Sequence, residues 1–139
     1  KDQTDLELAL ERALFDGADE ILLLGALGGR LDQTLANLLI VAQRDWPATI
    51  QLAEGRQLAQ VMYGDETLAL AYPAGATVSA IPLSPQVTGI CYTGLRYTLQ
   101  DATLDFGSTR GISNVLDQPP GQISIAGGVL LVVVDPGRP

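Results

Sequence analysis

Four consecutive aliphatic residues, Ile21 to Leu24, run directly into Gly25-Ala26-Leu27-Gly28-Gly29-Arg30, and an amphipathic segment from Leu31 to Ala42 follows. A continuous apolar run marks a strand buried on both faces, as in a parallel sheet. Glycines at the turn allow positive φ and a close approach of backbone to ligand. The helix start behind them offers free N–H groups to an anion. Arg30 adds a planar fork suited to phosphate oxygens, and Asp32 a hard oxygen suited to magnesium. An arginine and an acid two residues apart at such a turn fit a nucleotide–metal site. They also fit an ion pair that caps the helix, and spacing alone leaves both readings open.

Thr4-Asp5-Leu6-Glu7 has the form of a capping box. Leu6, Leu10, Ala13 and Leu14 follow at helical spacing, and Asp16-Gly17 stops the helix. Asp5 alone reads as a helix N-terminal acid favoured by the dipole. Leu31, Leu35, Leu38, Leu39 and Ala42 mark the apolar face of the second helix, which ends before Trp46-Pro47. Residues 1–45 thus read helix–strand–helix. One strand between two helices has no sheet to join. Missing strands ahead of it, and an exposed strand edge, are therefore expected.

After Pro47 the pattern changes to short alternating runs separated by turn residues: 49–53, 57–63, 67–72, 77–83 and 87–92, with weaker candidates at 93–99 and 102–106. Such spacing predicts an antiparallel sandwich or barrel. Pro119-Pro120-Gly121 is a break. Residues 122–126 and 129–135 are expected to close the fold as a pair around Gly127-Gly128, with the β-branched run Val129–Val134 central. The expected architecture is an α/β remnant (helix–strand–helix, 1–45) followed by an all-β antiparallel sandwich or barrel (46–139).

Bulk properties narrow the function. Over 139 residues the chain is 47% hydrophobic and 17% charged, which excludes disorder. A net charge of −8 disfavours nucleic acid and anionic membrane as partners. No histidine is present, so histidine catalysis and histidine metal ligation are excluded. The single cysteine, Cys91, reads as a small buried apolar residue and has no internal partner for a disulfide, which fits a reducing cytoplasm. No apolar run approaches a membrane span, and no signal peptide is visible. The chain starts at Lys1, inside a motif, and reads as a piece of a longer protein.

Gly111-Ile112-Ser113-Asn114 lies between strand-like regions and offers a hydroxyl and an amide to a neutral heterocycle. The same residues also make an ordinary turn. In Gly94-Leu95-Arg96-Tyr97, Arg96 reads as a solvated strand residue and Tyr97 as a packing one. Arg110 reads as a surface charge and Trp46 as core or interface.

K-D-Q-T-D at 1–5, G-A-L-G-G-R-L-D-Q at 25–33 and G-I-S-N at 111–114 occur in the order found in thiamine pyrophosphokinases, and the chain resembles that family over nearly its whole length. Gly94-Leu95-Arg96-Tyr97 resembles the family's G-L-[KR]-Y-P-L segment, with Thr98 in place of proline. The resemblance implies transfer of pyrophosphate from ATP to thiamine, with Mg2+, in a cytoplasmic homodimer that takes thiamine near the subunit interface. It assigns Asp5 to magnesium, and Asp5, Arg30 and Asp32 to the nucleotide and the reacting end of thiamine. Asp2, Thr4, Gly29 and Gln33 join the nucleotide site. Ser113 and Asn114 place the pyrimidine. There are two departures. The family's acidic segment ahead of KDxTD is not in this sequence, so the 139 residues alone are expected to be inactive. Gln33 stands where many bacterial members have histidine. The alternative is a non-catalytic β-sandwich for dimerisation or small-ligand binding.

Overall fold

The computed structural model describes residues 2–138. The first helix, α1 (Asp5–Phe15), starts where the Thr4 hydroxyl accepts the Glu7 N–H at 3.3 Å. It ends in a Schellman turn, in which Ala18 N–H donates to Ala13 O and Gly17 N–H to Leu14 O, both at 3.0 Å. Strand β1 (Glu20–Leu24) and helix α2 (Leu31–Ala42) follow. Nine further strands complete the chain: β2 (Thr49–Glu54), β3 (Gln57–Tyr63), β4 (Glu66–Leu70), β5 (Thr77–Pro82), β6 (Gln86–Thr93), β7 (Ala102–Asp105), β8 (Asn114–Val115), β9 (Gly121–Ile125) and β10 (Val129–Asp135).

Two sheets face each other. The six-stranded sheet has the order β1-β2-β3-β10-β5-β8, and the four-stranded sheet β4-β9-β6-β7. Leu130, Val132 and Val134 of β10 turn into the core between the sheets, with Val87, Ile90, Leu104, Ile123 and Ile125 opposite. Leu131 and Val133, pointing the other way, meet a second core under the helices that holds Leu10, Ile40, Val41, Trp46, Ile50 and Leu52. The expected central strand is therefore β10, and its unbroken apolar run reflects burial on both faces. Fully burying one such side chain contributes about 1.5–3 kcal/mol.

Several expectations are corrected. Strand β1 is not an orphan: it pairs in parallel with β2, Leu23 opposite Leu52, so the six-stranded sheet runs across residue 45. Strands β9 and β10 do not pair with each other. Gly127-Gly128 carries the chain from the four-stranded to the six-stranded sheet, because β10 needs cover on both faces and only the six-stranded sheet has helices behind it. Past Thr93, which ends β6, residues 94–99 form no strand beyond one bridge between Leu95 and Leu116. In α2, Leu31, Leu35 and Leu39 are 73%, 51% and 55% exposed, while Ile40 and Val41 are buried. Two polar anchors, Thr34 and Asn37, hold the helix to the preceding loop and set which face turns inward.

Candidate functional site

The glycine loop leaves the carboxyl end of β1, next to Glu54 at the carboxyl end of its parallel neighbour β2. In sheets with parallel strands, ligands bind outside the carboxyl ends. Gly25, Gly28 and Gly29 have φ of +69°, +92° and +72°, a conformation that other residues adopt only with strain. The loop is fastened from below. Gly28 N–H donates to the Thr34 hydroxyl at 3.0 Å, and the Asn37 amide donates to Ala26 O at 2.6 Å. Neither Thr34 nor Asn37 stood out in the sequence; their only signal is i, i+3 spacing in a helix whose first turn already carries the polar Asp32 and Gln33. Glu54 was missed as well: a Cβ added at Gly28 would stand 3.7 Å from its carboxylate.

At the mouth of α2 the Arg30 guanidinium grips Asp32 with two bonds, Nε to Oδ1 at 3.1 Å and Nη2 to Oδ2 at 2.5 Å. Asp32 Oδ1 also accepts the Gln33 N–H at 3.0 Å. The arginine holds the Asp32 carboxyl below its usual range. Both side chains stay mostly in solvent, at 73% and 65% exposure. An exposed pair of this kind adds little to stability. It leaves Arg30 three unused N–H donors, two on Nη1 and one on Nη2. The pair thus presents an oriented cation fork beside a glycine loop and a helix start, a geometry chemically suited to an anion.

Asp2, Thr4 and Asp5 are exposed at the start of α1. The Thr4 hydroxyl serves as the helix cap. Glu7 accepts from the Gln43 amide at 3.0 Å, and Glu11 lies 3.6 Å from Arg44, so the first turns of α1 lie against the far end of α2 from Arg30. No hydrogen bond or ion pair joins Asp2, Thr4 or Asp5 to Arg30, Asp32, Gly29 or Gln33 among the described residues. Nor do three acidic or thiol side chains among them gather as a metal site.

The second polar locus lies at the β8 end of the sandwich. Gly111 crosses β5 so closely that a Cβ there would stand 2.3 Å from Ala80 O, and Ala80 N–H donates to Gly111 O at 2.9 Å. Ser113 follows in the left-handed region, φ +58°, with its N–H on the Ser79 hydroxyl at 3.0 Å and its side chain exposed. Asn114 is 4% exposed, the one buried polar or charged residue among those described. Its Oδ1 accepts from Tyr97 N–H (3.0 Å) and Val115 N–H (2.9 Å), and its Nδ2 donates to Tyr97 O (2.8 Å). Tyr97 does not pack: its ring is 64% exposed, because the backbone is what Asn114 holds. Arg96 is not merely solvated; it makes two bonds to Asp117, at 3.1 and 2.9 Å, which raise its pKa. Trp46 is core, as expected, donating from Nε1 to Ile40 O at 3.2 Å with Arg44 stacked 3.9 Å over its ring. Cys91 is half-buried and accepts the Asp101 N–H at 3.3 Å.

A glycine loop with a cation fork on a parallel strand pair, continuous with a β-sandwich that carries a polar turn, defines a two-part ligand-handling chain. Residues 1–51 match the family described as thiamin pyrophosphokinase, catalytic domain, and residues 66–130 that described as thiamin pyrophosphokinase, vitamin B1 binding domain. The chain is 34% identical over 134 residues to the thiamine pyrophosphokinase of Bacillus subtilis (strain 168), covering 96% of this chain and 63% of that one. The fold is similar to the solved thiamine pyrophosphokinase from Bacillus subtilis, with a TM-score of 0.87 and 30% identity over 96% of this chain and 63% of that one. It is also similar to that from Geobacillus thermodenitrificans, with a TM-score of 0.82 and 32% identity over 97% and 62%. The chain belongs to the thiamine pyrophosphokinase family. A match through the catalytic domain does not favour a sandwich with no catalytic part. The chain spans under two thirds of the length of these relatives.

Proposed function

We propose that the full-length protein transfers a pyrophosphoryl group from ATP to the hydroxyl of thiamine, giving thiamine diphosphate and AMP. The hydroxyl oxygen bonds to the β-phosphorus, the bond from that phosphorus to the α,β-bridging oxygen breaks, and the hydroxyl proton is released. The observation that carries this reading is the exposed Arg30–Asp32 pair on a positive-φ glycine loop, within the stretch matching the catalytic family. Transfer of this kind rests on positioning and electrostatic stabilisation. Arg30 receives phosphate oxygens through its unused donors. Asp32 fixes the guanidinium plane and faces the reacting end of thiamine. Gly29 and Gln33 complete the nucleotide side from the loop; Asp2 and Thr4, which the family resemblance assigns to the same nucleotide, sit at the start of α1, against the far end of α2. Ser113 and Asn114 belong to the thiamine seat.

Magnesium, which the family resemblance implies, meets Asp5 and Asp2 as uncommitted carboxylates at the start of α1 and an Asp32 held by Arg30. These groups do not fit a preformed ion site, since the ion favours several hard oxygens in near-octahedral array. Asp5 is a carboxylate for a nucleotide-borne cation.

The wider setting belongs to the same proposal. Residues 1–45 form part of a catalytic unit and 46–139 the thiamine-binding and dimerisation unit of a homodimer working in the cytoplasm. No described helix is long and apolar enough to cross a membrane, and the net charge is −8. The test is incubation of the full-length protein with thiamine, ATP and magnesium. Equal yields of AMP and thiamine diphosphate are expected; ADP in place of AMP, or no thiamine product, contradicts the assignment.

A further inference from the structure

Asn114 has little left to offer a ligand. Both acceptor positions of Oδ1 are filled by N–H groups, one Nδ2 hydrogen is on Tyr97 O, and the residue is 4% exposed. What it holds is more informative. Tyr97 is gripped through both its N–H and its C=O. The rest of Gly94–Tyr97 is laced along the segment following Asn114. Arg96 N–H donates to Val115 O at 2.8 Å, Asp117 and Gln118 N–H both donate to Gly94 O at 3.0 Å, and Arg96 forks onto Asp117. The result is an irregular strap whose outer end is a largely exposed tyrosine ring. Ser113, the chain neighbour on the other side of Asn114, is exposed, and its hydroxyl makes no hydrogen bond among the described residues.

We infer that Asn114 is a positioning residue, and that the groups meeting the ligand are the Tyr97 ring, whose backbone Asn114 grips, and the hydroxyl of its chain neighbour Ser113, whose N–H is fixed on the Ser79 hydroxyl. The inference rests on the thiamine-binding reading above and deepens it. An aromatic face suits a flat, cationic heteroaromatic ligand, and the hydroxyl supplies a directional donor or acceptor beside it. Tyr97 is therefore a specificity-determining residue, because a ring held by backbone bonds reaches the ligand without first being ordered.

The test uses the full-length protein, with thiamine alone as the probe and amide hydrogen exchange of Tyr97 as a second readout. Asn114→Ala should weaken thiamine binding about tenfold, the loss of roughly one strong hydrogen bond's worth of order. In the same variant the Tyr97 amide should lose protection by a similar factor. Asp117→Asn, an exposed change that leaves Asn114 untouched, loosens the far end of the strap and should weaken thiamine binding a few-fold with the ATP KM unaltered. Tyr97→Ala should weaken thiamine binding, and Tyr97→Phe should restore most of it. Weakened binding in Asn114→Ala with Tyr97 protection intact, or loss of protection with binding intact, overturns the positioning role. Unaltered thiamine affinity in both Asp117→Asn and Tyr97→Ala does the same. If the unmutated protein binds no thiamine, the proposed function itself fails, while the exchange data still decide whether Asn114 holds Tyr97.

Discussion

Leu23 on β1 stands in parallel register opposite Leu52 on β2, and this pairing carries the helix–strand–helix portion onto the sandwich as one sheet. Leu52 is fully buried in the core under the helices, together with Leu10, Val41 and Trp46. Residues on both sides of position 45 therefore depend on the same packed layer.

Leu52→Ala should cost about 2–5 kcal/mol, the transfer and cavity cost of a buried leucine. Trp46 is the only tryptophan and lies in that core, so its fluorescence reports the helical side. The four tyrosines, at positions 63, 72, 92 and 97, lie on the sandwich side, and their absorbance reports the strands. The two unfolding curves should coincide in the unmutated chain and shift together in the variant. A tryptophan transition well ahead of the strand transition contradicts a shared core.

How much of this was legible in the sequence follows from how local each feature is. The Thr4 cap, the Gly17 stop and the central position of Val129–Val134 were legible, because a hydroxyl three residues from a free N–H, or an unbroken β-branched run, declares itself locally. The partner of β1 was not, since a parallel neighbour about thirty residues away leaves no local mark. The step at Gly127-Gly128 from sheet to sheet looked like a hairpin for the same reason. At the site, the pairing of Arg30 with Asp32 was legible from spacing as one of two readings. The inward turn of Thr34 and Asn37 was not, nor was the grip of Asn114 on Tyr97, which joins residues 17 apart.

Tyr92 gives a pH prediction. Its hydroxyl is the one buried side-chain polar atom with no hydrogen-bond partner among the described residues. Burial pushes its pKa up to about 12, opposed by the nearby charge of Arg110. The neutral phenol is favoured in the folded state, so below pH 10 the group contributes no pH slope. Between about pH 10 and 12 the unfolded chain ionises first, and stability should fall by up to about 1.4 kcal/mol per pH unit. Tyr92→Phe should remove that part of the slope. It should leave stability at pH 7 unchanged or raised, because an unpaired buried hydroxyl is a cost. An equal alkaline slope in both proteins contradicts the burial argument.

The loop anchors make a separate prediction. Thr34→Ala removes the acceptor for Gly28 N–H. In the full-length protein it should raise the ATP KM several-fold and leave the thiamine KM close to unchanged, with a stability loss of about 1 kcal/mol. Steady-state kinetics with each substrate varied in turn checks this. An effect confined to thiamine places the nucleotide elsewhere.

The most direct test of the central claim is Asp32→Asn in the full-length protein, with turnover and melting temperature measured on the same preparation. Asp32 orients the Arg30 fork, and both side chains are largely in solvent, so the change should touch the reaction and not the core. Misplacement of a catalytic group by about an ångström costs on the order of a hundredfold in rate. AMP release should fall by about that factor while the melting temperature stays nearly constant. Unchanged turnover per folded molecule with a clear loss of stability would show that the pair is only a structural clasp at the start of α2, and would contradict a catalytic glycine loop.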